Sequence, residues 1–460
     1  MKKIVVILIL VTIVLSFIGC SDKDKTDRID SENGNITDSS VVQETTNSSR
    51  KSELKSLSEE LALQMEDGKF DDTFKKLSLT IKAETNEELL KQAWEATVAG
   101  MGAYIEVYES KEEAIDNKLQ SVTVILRYEN NGLKVFFSYN KKGIIEGLWF
   151  NYSPIEPEAV SNEVLEETKI TIGKGEYAVT GMLTMPKGIA NPPVVILVPG
   201  SGTHDMNEIV GANKPFEDIA WGLAKLGIAS IRYNERLFQN PALAANKITI
   251  ELDSLDDASQ AISFAISCDK INKDKIYVLG HSLGGMMMPK IASEHKEIAG
   301  ILILAGSPRK LEDIVYDQNM EALANIEGIT KKQIAETVTV IEDQVTQIKI
   351  LKDTDTAVLL GQPATYWYSL NQIDTPKLTA GLTIPIFIAQ GSEDFQAYAD
   401  KDYVKWQELL SDNDNVTFHL YDGLNHLFMT TNGKKDITEY NIKGHVEQRV
   451  IDDIVLWIKQ

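Results

Sequence analysis

The sequence predicts an α/β protein, in which a mostly parallel sheet is covered on both faces by helices and a smaller α+β domain comes first. Three observations predict this fold. From about Val164 onward, apolar strand patterns alternate with helical patterns. Val194–Val198 is a continuous apolar run, as a central strand of a parallel sheet requires. Before Val164, helical patterns come first and alternating strands follow, which is typical of a separate α+β unit.

Length and composition limit the partners that the protein can have. The chain has 460 residues, more than one ordinary domain needs. It carries 46 Lys and Arg against 68 Asp and Glu, a formal net charge of −22. Because so acidic a surface repels phosphate backbones, we expect no nucleic-acid partner. Cys20 and Cys268 are the two cysteines, and no Cys/His spacing is typical of zinc. The sequence therefore predicts neither a bound metal nor an organic cofactor.

Residues 1–20 have the plan of an export signal. Two lysines precede the apolar run Ile4–Ile18, and Gly19 and Cys20 end it. This ending resembles a bacterial lipobox, in which the cysteine receives diacylglycerol, although Phe17 stands where that pattern usually has Leu. The resemblance implies export and a lipid anchor on the extracytoplasmic face of the cell membrane. An ordinary secretory signal or an uncleaved anchor is the alternative.

Residues 21–50 are rich in Ser, Thr, Asn and Asp and poor in aromatic residues, so we expect a disordered tether.

Residues 51–155 form the predicted small α+β domain. Its helices are predicted near Leu54–Met65 and Glu87–Gly100, before a meander of strands. This layout, with the Gly-Leu-Trp ending at Gly147–Trp149, resembles a cone-shaped domain of unknown function that is akin to nuclear transport factor two. The sequence assigns this domain no chemistry.

Residues 160–460 form the predicted α/β domain. Its alternating helical and strand patterns are Phe216–Leu226, Ala229–Tyr233, Leu255–Ser267, Ile276–Leu279, Met286–His295, Gly300–Leu304, Pro385–Ala389, Asp402–Leu410 and Val416–Tyr421. Residues from about 307 to 379 interrupt the strand rhythm and have helical periodicity. A segment of about seventy residues is far longer than an ordinary loop, so we interpret it as a helical lid over the functional site.

A serine elbow is the main chemical motif. Gly280–Gly284 reads G-x-S-x-G, directly follows the strand pattern Ile276–Leu279 and directly precedes a helix. A sharp strand-to-helix turn strains the serine and requires its neighbours to lack bulk, so Ser282 is the candidate nucleophile. The helix N-terminus also presents N–H groups to developing negative charge. A glycine-rich turn with an incidental serine is the alternative.

A serine hydroxyl needs a base before it can act as a nucleophile. Among the six histidines, His426 lies in a loop just after the last strand, where ligands meet parallel sheets. The acid should follow the preceding strand, where Asp394 fits best and Glu393 is its rival. The order Ser, acid, His is the one that this elbow requires. A surface histidine and a loop-capping aspartate are the structural alternatives.

An oxyanion hole needs two N–H donors. The strand Val194–Val198 runs into the loop Pro199–Gly202, whose glycines let backbone amides turn toward the serine. We assign the donors to the N–H groups of Ser201 and Leu283. A phosphate cradle is the weaker interpretation of this loop, because no Lys follows at the required spacing.

Together these motifs resemble the α/β-hydrolase superfamily from about Val164 to Gln460. Asn213–Phe216 and Arg232–Arg236 further resemble bacterial lipoprotein esterases related to dienelactone hydrolases and serine aminopeptidases. The resemblance implies carboxylic ester hydrolysis through an acyl-enzyme, with Ser282, His426 and Asp394 as the triad and no cofactor. Pro199 departs from the histidine that many relatives have there. An aminopeptidase or amidase, or a binding lipoprotein without activity, are the rival functions.

The lid contains the aromatic cluster Tyr366–Tyr368. Tyr366 and Trp367 are candidate walls of a closed apolar substrate pocket, which would favour short acyl groups over long chains. The structural alternative is that these rings form the core of the lid.

Overall fold

A computed structural model describes residues 40–115, 119–245, 247–326 and 328–460. The predicted signal peptide, Cys20 and most of the tether lie outside the described residues. The described chain divides into two compact units, one ending at Pro157 and the other beginning at Glu158. In the ranges described, none of the helices combines the length and the apolar character needed to span a membrane.

The first unit contains four helices followed by a four-stranded antiparallel sheet in the order β1-β2-β3-β4. Its elements are α1 Ser40–Glu66, α2 Asp71–Lys76, α3 Leu79–Glu84, α4 Glu87–Val98, β1 Tyr104–Ala114, β2 Leu119–Tyr128, β3 Gly132–Asn140 and β4 Ile145–Ser153. Alternate residues of β2 and β3 pack into the core, as the alternation predicts. The sequence pattern does not predict β1, because this edge strand buries none of its residues fully and lacks a clear apolar alternation.

The second unit is larger and alternates strands with helices. Its strands are β5 Leu165–Ile172, β6 Val179–Pro186, β7 Val194–Val198, β8 Ala229–Tyr233, β9 Ile276–His281, β10 Gly300–Leu304, β11 Val358–Leu359, β12 Gln362–Pro363, β13 Ile386–Gly391 and β14 Val416–Tyr421. Its helices are α5 Pro215–Lys225, α6 Arg236–Gln239, α7 Asp256–Ser267, α8 Leu283–Glu294, α9 Leu311–Asn325, α10 Lys331–Lys349, α11 Ala364–Asn371, α12 Thr375–Ala380, α13 Val404–Leu409 and α14 Gln448–Ile458.

Eight of these strands form one sheet in the order β14-β13-β10-β9-β7-β8-β6-β5. The six strands from β14 to β8 run parallel, whereas β6 and β5 are antiparallel additions at one edge. Ile196 faces one apolar core and Leu197 faces the other. Because both faces of β7 are buried, its sequence is apolar without alternation. The predicted fold class, a doubly covered and mostly parallel sheet, is confirmed.

The segment between β10 and β13 consists of α9 to α12 and the small hairpin β11-β12. A capping box between Thr330 and Gln333 starts α10. The hairpin turns through Leu360 and Gly361, both with positive φ. The sequence pattern predicts only helices here, since paired strands of two residues each leave no alternating pattern. Helix α12 packs against α8, so this segment lies beside the helix that follows Ser282.

Candidate active site

The turn between β9 and α8 holds Ser282 in a strained backbone conformation. Its φ is 52° and its ψ −115°, which a residue with a side chain rarely adopts. The Ser282 N–H donates to the carbonyl of Leu304 at 2.9 Å. A Cβ on Gly280 would lie 2.3 Å from the backbone of Gly284, and one on Gly284 would lie 2.4 Å from the carbonyl oxygen of Val198. Only glycine fits both positions, which is the steric reason for the motif.

His426 and Asp394 form a buried pair at the same edge of the sheet. His426 Nδ1 lies 2.7 Å from Asp394 Oδ2, and neither side chain is more than 5% exposed. The neighbouring Glu393 instead pairs with Lys435 at 2.9 Å. The sequence offered two candidates for the acid of the triad. In the structure, Asp394 is the one that contacts His426. Because a carboxylate only accepts, Nδ1 carries the proton and Nε2 keeps its lone pair for a substrate or nucleophile proton.

The Asp394 carboxylate is held by donors on both oxygens. Gln390 Nε2 donates to Oδ2 at 2.7 Å, and the N–H groups of Gln396 and Ala397 donate to Oδ1 at 2.7 and 3.0 Å. Hydrogen bonds to the ionised form stabilise it and fix its orientation. Gln390 could not be identified from the sequence, since a glutamine at the end of a strand carries no chemical signal by itself.

Asn425 shapes the loop that carries His426. Its side-chain carbonyl accepts from the N–H groups of Leu427 and Met429, at 3.0 and 3.2 Å. Its amide donates to Glu439 at 2.8 Å. The amide is 4% exposed, so these bonds form in a dry environment where they rigidify the loop.

The loop after β7 lies directly beside Ser282. A Cβ on Gly200 would lie 3.1 Å from Cβ of Ser282, so the loop backbone and the elbow are in close contact. The Gly200 N–H donates to Glu208 Oε1 at 2.7 Å, which leaves the next N–H, that of Ser201, as the candidate oxyanion donor. Leu283 is the first residue of α8, where N–H groups have no acceptor within the helix. The structure thus places both predicted donors next to the elbow.

A second buried pair, Glu208 and His281, lies behind the elbow. Glu208 Oε1 is 2.9 Å from His281 Nδ1, and the two residues are 1% and 6% exposed. Burial would raise the pKa of Glu208, but the charge and hydrogen bond of His281, the charge of His204 and the Gly200 N–H together outweigh burial and lower that pKa. This pair was not predicted from the sequence. Glu208 belongs to no motif considered there, and His281 is only the variable residue of the serine motif.

Tyr366 and Trp367 both lie in the apolar core of the second unit. They are 2% and 1% exposed, and the Trp367 indole N–H donates to the carbonyl of Leu359 at 2.7 Å. Burial, and then the charges of Asp253 and Glu235, raise the pKa of Tyr366 well above its ordinary value. Trp367 therefore packs within the lid itself, the alternative that the sequence left open. The role of either ring as a pocket wall stays a prediction.

Buried acids also lie beyond the oxyanion loop. Glu235 accepts a hydrogen bond from the N–H of His204 at 2.7 Å. Burial, and then the charge of Asp257, raise the pKa of Asp253 to about 7. Across the described ranges, no three His, Cys, Asp or Glu side chains are grouped so as to hold a metal ion.

A mostly parallel sheet with a strained serine at its centre, and a histidine–aspartate pair at the same edge, defines an enzyme of the α/β-hydrolase fold. Residues 195–432 match the family described as serine aminopeptidase, S33. Residues 58–148 match a protein family of unknown function, DUF3887. The larger match spans more than half of the chain, so the protein belongs to the α/β-hydrolase superfamily.

Known proteins resemble this chain along most of its length. Esterase EstD of Thermotoga maritima is 32% identical over 393 residues, which cover 85% of this chain and 91% of that protein. Est1E of Butyrivibrio proteoclasticus is 15% identical with a TM-score of 0.41, and the match covers 64% of this chain and 99% of that one. The esterase PF2001 of Pyrococcus furiosus is 14% identical with a TM-score of 0.40, over 66% of this chain and 97% of that one.

Proposed function

We propose that this protein is a carboxylic ester hydrolase that works through an acyl-enzyme on Ser282. The observation that carries the proposal is the buried His426–Asp394 pair, 2.7 Å apart, at the sheet edge where the strained Ser282 turn also lies. The similarity to an esterase over 91% of that relative's length supports ester chemistry.

The proposed reaction follows from the roles of these groups. His426 Nε2 takes the hydroxyl proton of Ser282 as Oγ attacks the ester carbonyl, and then gives this proton to the leaving alcohol. Asp394 holds the imidazole in the required tautomer and stabilises its charged form. The N–H groups of Ser201 and Leu283 bind the oxyanion of the tetrahedral intermediate. Water then attacks the acyl-enzyme with His426 again as the base, which releases the acid and restores Ser282.

A fluorophosphonate probe tests the nucleophile, because it reacts covalently with an activated serine. We expect the wild-type protein to be labelled and Ser282→Ala to lose both labelling and ester turnover while it stays folded. Ser263→Ala is the matched control, because Ser263 lies at an exposed position on α7 and has no role in the proposed reaction. Labelling of Ser282→Ala at the wild-type rate would show that another residue is the nucleophile.

We further propose that the preferred esters have short acyl chains. The support is the inserted segment from α9 to α12, whose helix α12 packs against α8, the helix that follows Ser282. A site closed by such a segment fits a short acyl group better than a long chain. We expect a higher kcat/KM for p-nitrophenyl acetate and butyrate than for the palmitate. A preference for palmitate that increases above its solubility limit would indicate a lipase.

Aminopeptidase activity is the second candidate function, and the family description of residues 195–432 favours it. The same serine chemistry cleaves amides, so the fold does not separate the two activities. Aminoacyl anilides assayed beside p-nitrophenyl esters decide between them. Rapid anilide cleavage with negligible ester turnover would replace the esterase proposal.

We also propose that the protein is exported and anchored to the cell membrane by lipid on Cys20. Support comes from the apolar run Ile4–Ile18 and the Gly19-Cys20 ending. We expect Cys20→Ala to release the protein from membranes or to block its maturation, with Cys268→Ala as the matched control. Mass spectrometry of the native N-terminus that finds an unmodified cysteine, or cleavage elsewhere, would overturn the anchor.

A further inference from the structure

Glu208 occupies an unusual position beside the elbow. It has a positive φ of 51°, although it is not a glycine, and its side chain is buried. Its Oε1 accepts from the Gly200 N–H at 2.7 Å and lies 2.9 Å from His281 Nδ1. Its Oε2 is buried and makes no hydrogen bond within the described residues. A strained backbone and a buried carboxylate are both costly, which points to a function for this residue.

His281 links Glu208 to the loop that carries His426. Its Nε2 lies 2.9 Å from the carbonyl oxygen of His426, and the two imidazole rings are 4.7 Å apart. A carbonyl oxygen can only accept a hydrogen bond, and so can an ionised carboxylate. Both ring nitrogens of His281 therefore carry hydrogen, and the ring is an imidazolium that forms a buried ion pair with Glu208.

We propose that Glu208 and His281 are positioning residues that hold the oxyanion loop and the His426 loop in place around Ser282. The inference rests on the proposed esterase function. Glu208 fixes Gly200, which precedes the donor Ser201, and it also orients His281. His281 adjoins Ser282 in the chain and fixes the carbonyl of His426. One buried ion pair thus joins the three segments on which the reaction depends.

The charge on His281 is essential to this arrangement. A neutral imidazole has only one N–H, so it cannot donate to Glu208 and to the His426 carbonyl together. Burial would lower the pKa of His281, but the charge and hydrogen bond of Glu208, the His426 carbonyl and the charge of Asp394 together outweigh burial and raise that pKa. Other titratable groups also lie near the pair. His204 and Glu235 interact with Glu208, and Asp394 and His426 lie near His281.

The consequence is an alkaline limit on activity. As the pH rises through the raised pKa of His281, the ring loses one donor and its lone pair faces a carbonyl oxygen. The His426 loop then loses its anchor, and kcat falls. Glu208→Gln keeps the acceptor for Gly200 but removes the charge that holds the His281 proton. In this variant the fall in kcat should therefore begin at lower pH than in the wild-type protein.

The experiment compares pH profiles of kcat and KM for p-nitrophenyl butyrate in the full-length wild-type, Glu208→Gln, Glu208→Asp and His281→Gln proteins. We expect Glu208→Gln to lower kcat by about tenfold to a hundredfold with little change in KM, since misplaced groups chiefly affect the transition state. Glu208→Asp keeps the charge and should retain the alkaline limit. His281→Gln removes the titrating ring and should abolish that limit.

A second histidine–glutamate pair supplies the control. His295 Nδ1 lies 3.2 Å from Glu297 Oε1 at the far end of α8. His295→Gln should leave kcat and its pH profile unchanged.

The outcomes separate this inference from the proposed function. A wild-type protein that neither turns over the ester nor reacts with a fluorophosphonate would contradict the esterase proposal. A working wild-type enzyme with an unchanged alkaline limit in Glu208→Gln would overturn the positioning role. A loss of kcat that only follows the unfolded fraction in thermal melts would also overturn it. Should Glu208→Gln fail to fold, the pH profile of His281→Gln tests the inference instead. An alkaline limit that persists unchanged in His281→Gln would overturn the positioning role.

Discussion

His426 Nδ1 lies 2.7 Å from Asp394 Oδ2, although 32 residues separate them in the chain. The two residues follow the adjacent parallel strands β14 and β13, which end at the same edge of the sheet. Strand pairing therefore brings base and acid together, and the hydrogen bonds from Gln390 and two backbone N–H groups orient the carboxylate toward the ring.

Asp394→Asn tests the role of that carboxylate. The amide cannot stabilise an imidazolium and favours the wrong tautomer of His426, so we expect kcat to fall by about three to four orders of magnitude. Steady-state kinetics with p-nitrophenyl acetate measures this fall in kcat. Asp400→Asn, at an exposed position in the short helical turn Ala399–Tyr403 that follows, should behave as wild type. A fall of less than tenfold would mean that Asp394 does not act on the catalytic base.

Gly284→Ala tests the steric basis of the elbow. The added Cβ would lie 2.4 Å from the Val198 carbonyl oxygen, and backbone atoms of a central strand cannot move away cheaply. We expect the free energy of unfolding to fall by about 3 kcal/mol, as for severe overpacking of a core. Urea unfolding followed by circular dichroism measures it. Gly381→Ala is the control, because its Cβ would meet nothing closer than 3.5 Å. Equal stability of the two variants would contradict the steric explanation.

Glu167→Ala tests a buried ion pair outside the site. Glu167 Oε1 lies 2.8 Å from Arg232, and both side chains are 1% exposed. Removal of one partner leaves the other charge buried and uncompensated, so we expect a loss of about 3–5 kcal/mol in unfolding free energy. The exposed neighbour Glu166→Ala should cost little. A loss under 1 kcal/mol would show that Arg232 finds another partner.

The buried acids predict how stability changes with pH. Because the folded protein raises the pKa of Asp253 to about 7, the folded state holds a proton that the unfolded state loses near pH 4. Stability should therefore fall as the pH rises from about 4 to about 7. The pKa of the neighbouring Glu235 is raised as well, chiefly by burial and then by Asp253, and adds to this slope.

Thermal melts across this range measure the slope, and Asp253→Asn should reduce it, because the amide cannot ionise. An unchanged slope in Asp253→Asn would show that this carboxyl does not titrate differently in the folded state.

The sequence by itself determined the fold class and the elbow, because both depend on local patterns. A strand buried on both faces must be continuously apolar, and the strained turn at Ser282 admits only glycine at 280 and 284. The order of the triad residues along the chain and the positions of the predicted strands also reduced the candidates for the triad acid to Asp394 and Glu393. These patterns can be recognised in the sequence without knowing which residues contact one another in the folded chain.

The tertiary structure alone decided which side chains pair. It placed Asp394 on His426 and Glu393 on Lys435, and it brought Glu208 to His281, 73 residues away in sequence. It also packed the indole of Trp367 against the lid hairpin. The acid contacts join segments that come together only when the sheet is assembled, and the indole contact forms only when the lid hairpin folds against α11. The sequence shows that a carboxylate or an indole is present but not which partner it contacts. Only the folded chain reveals that partner.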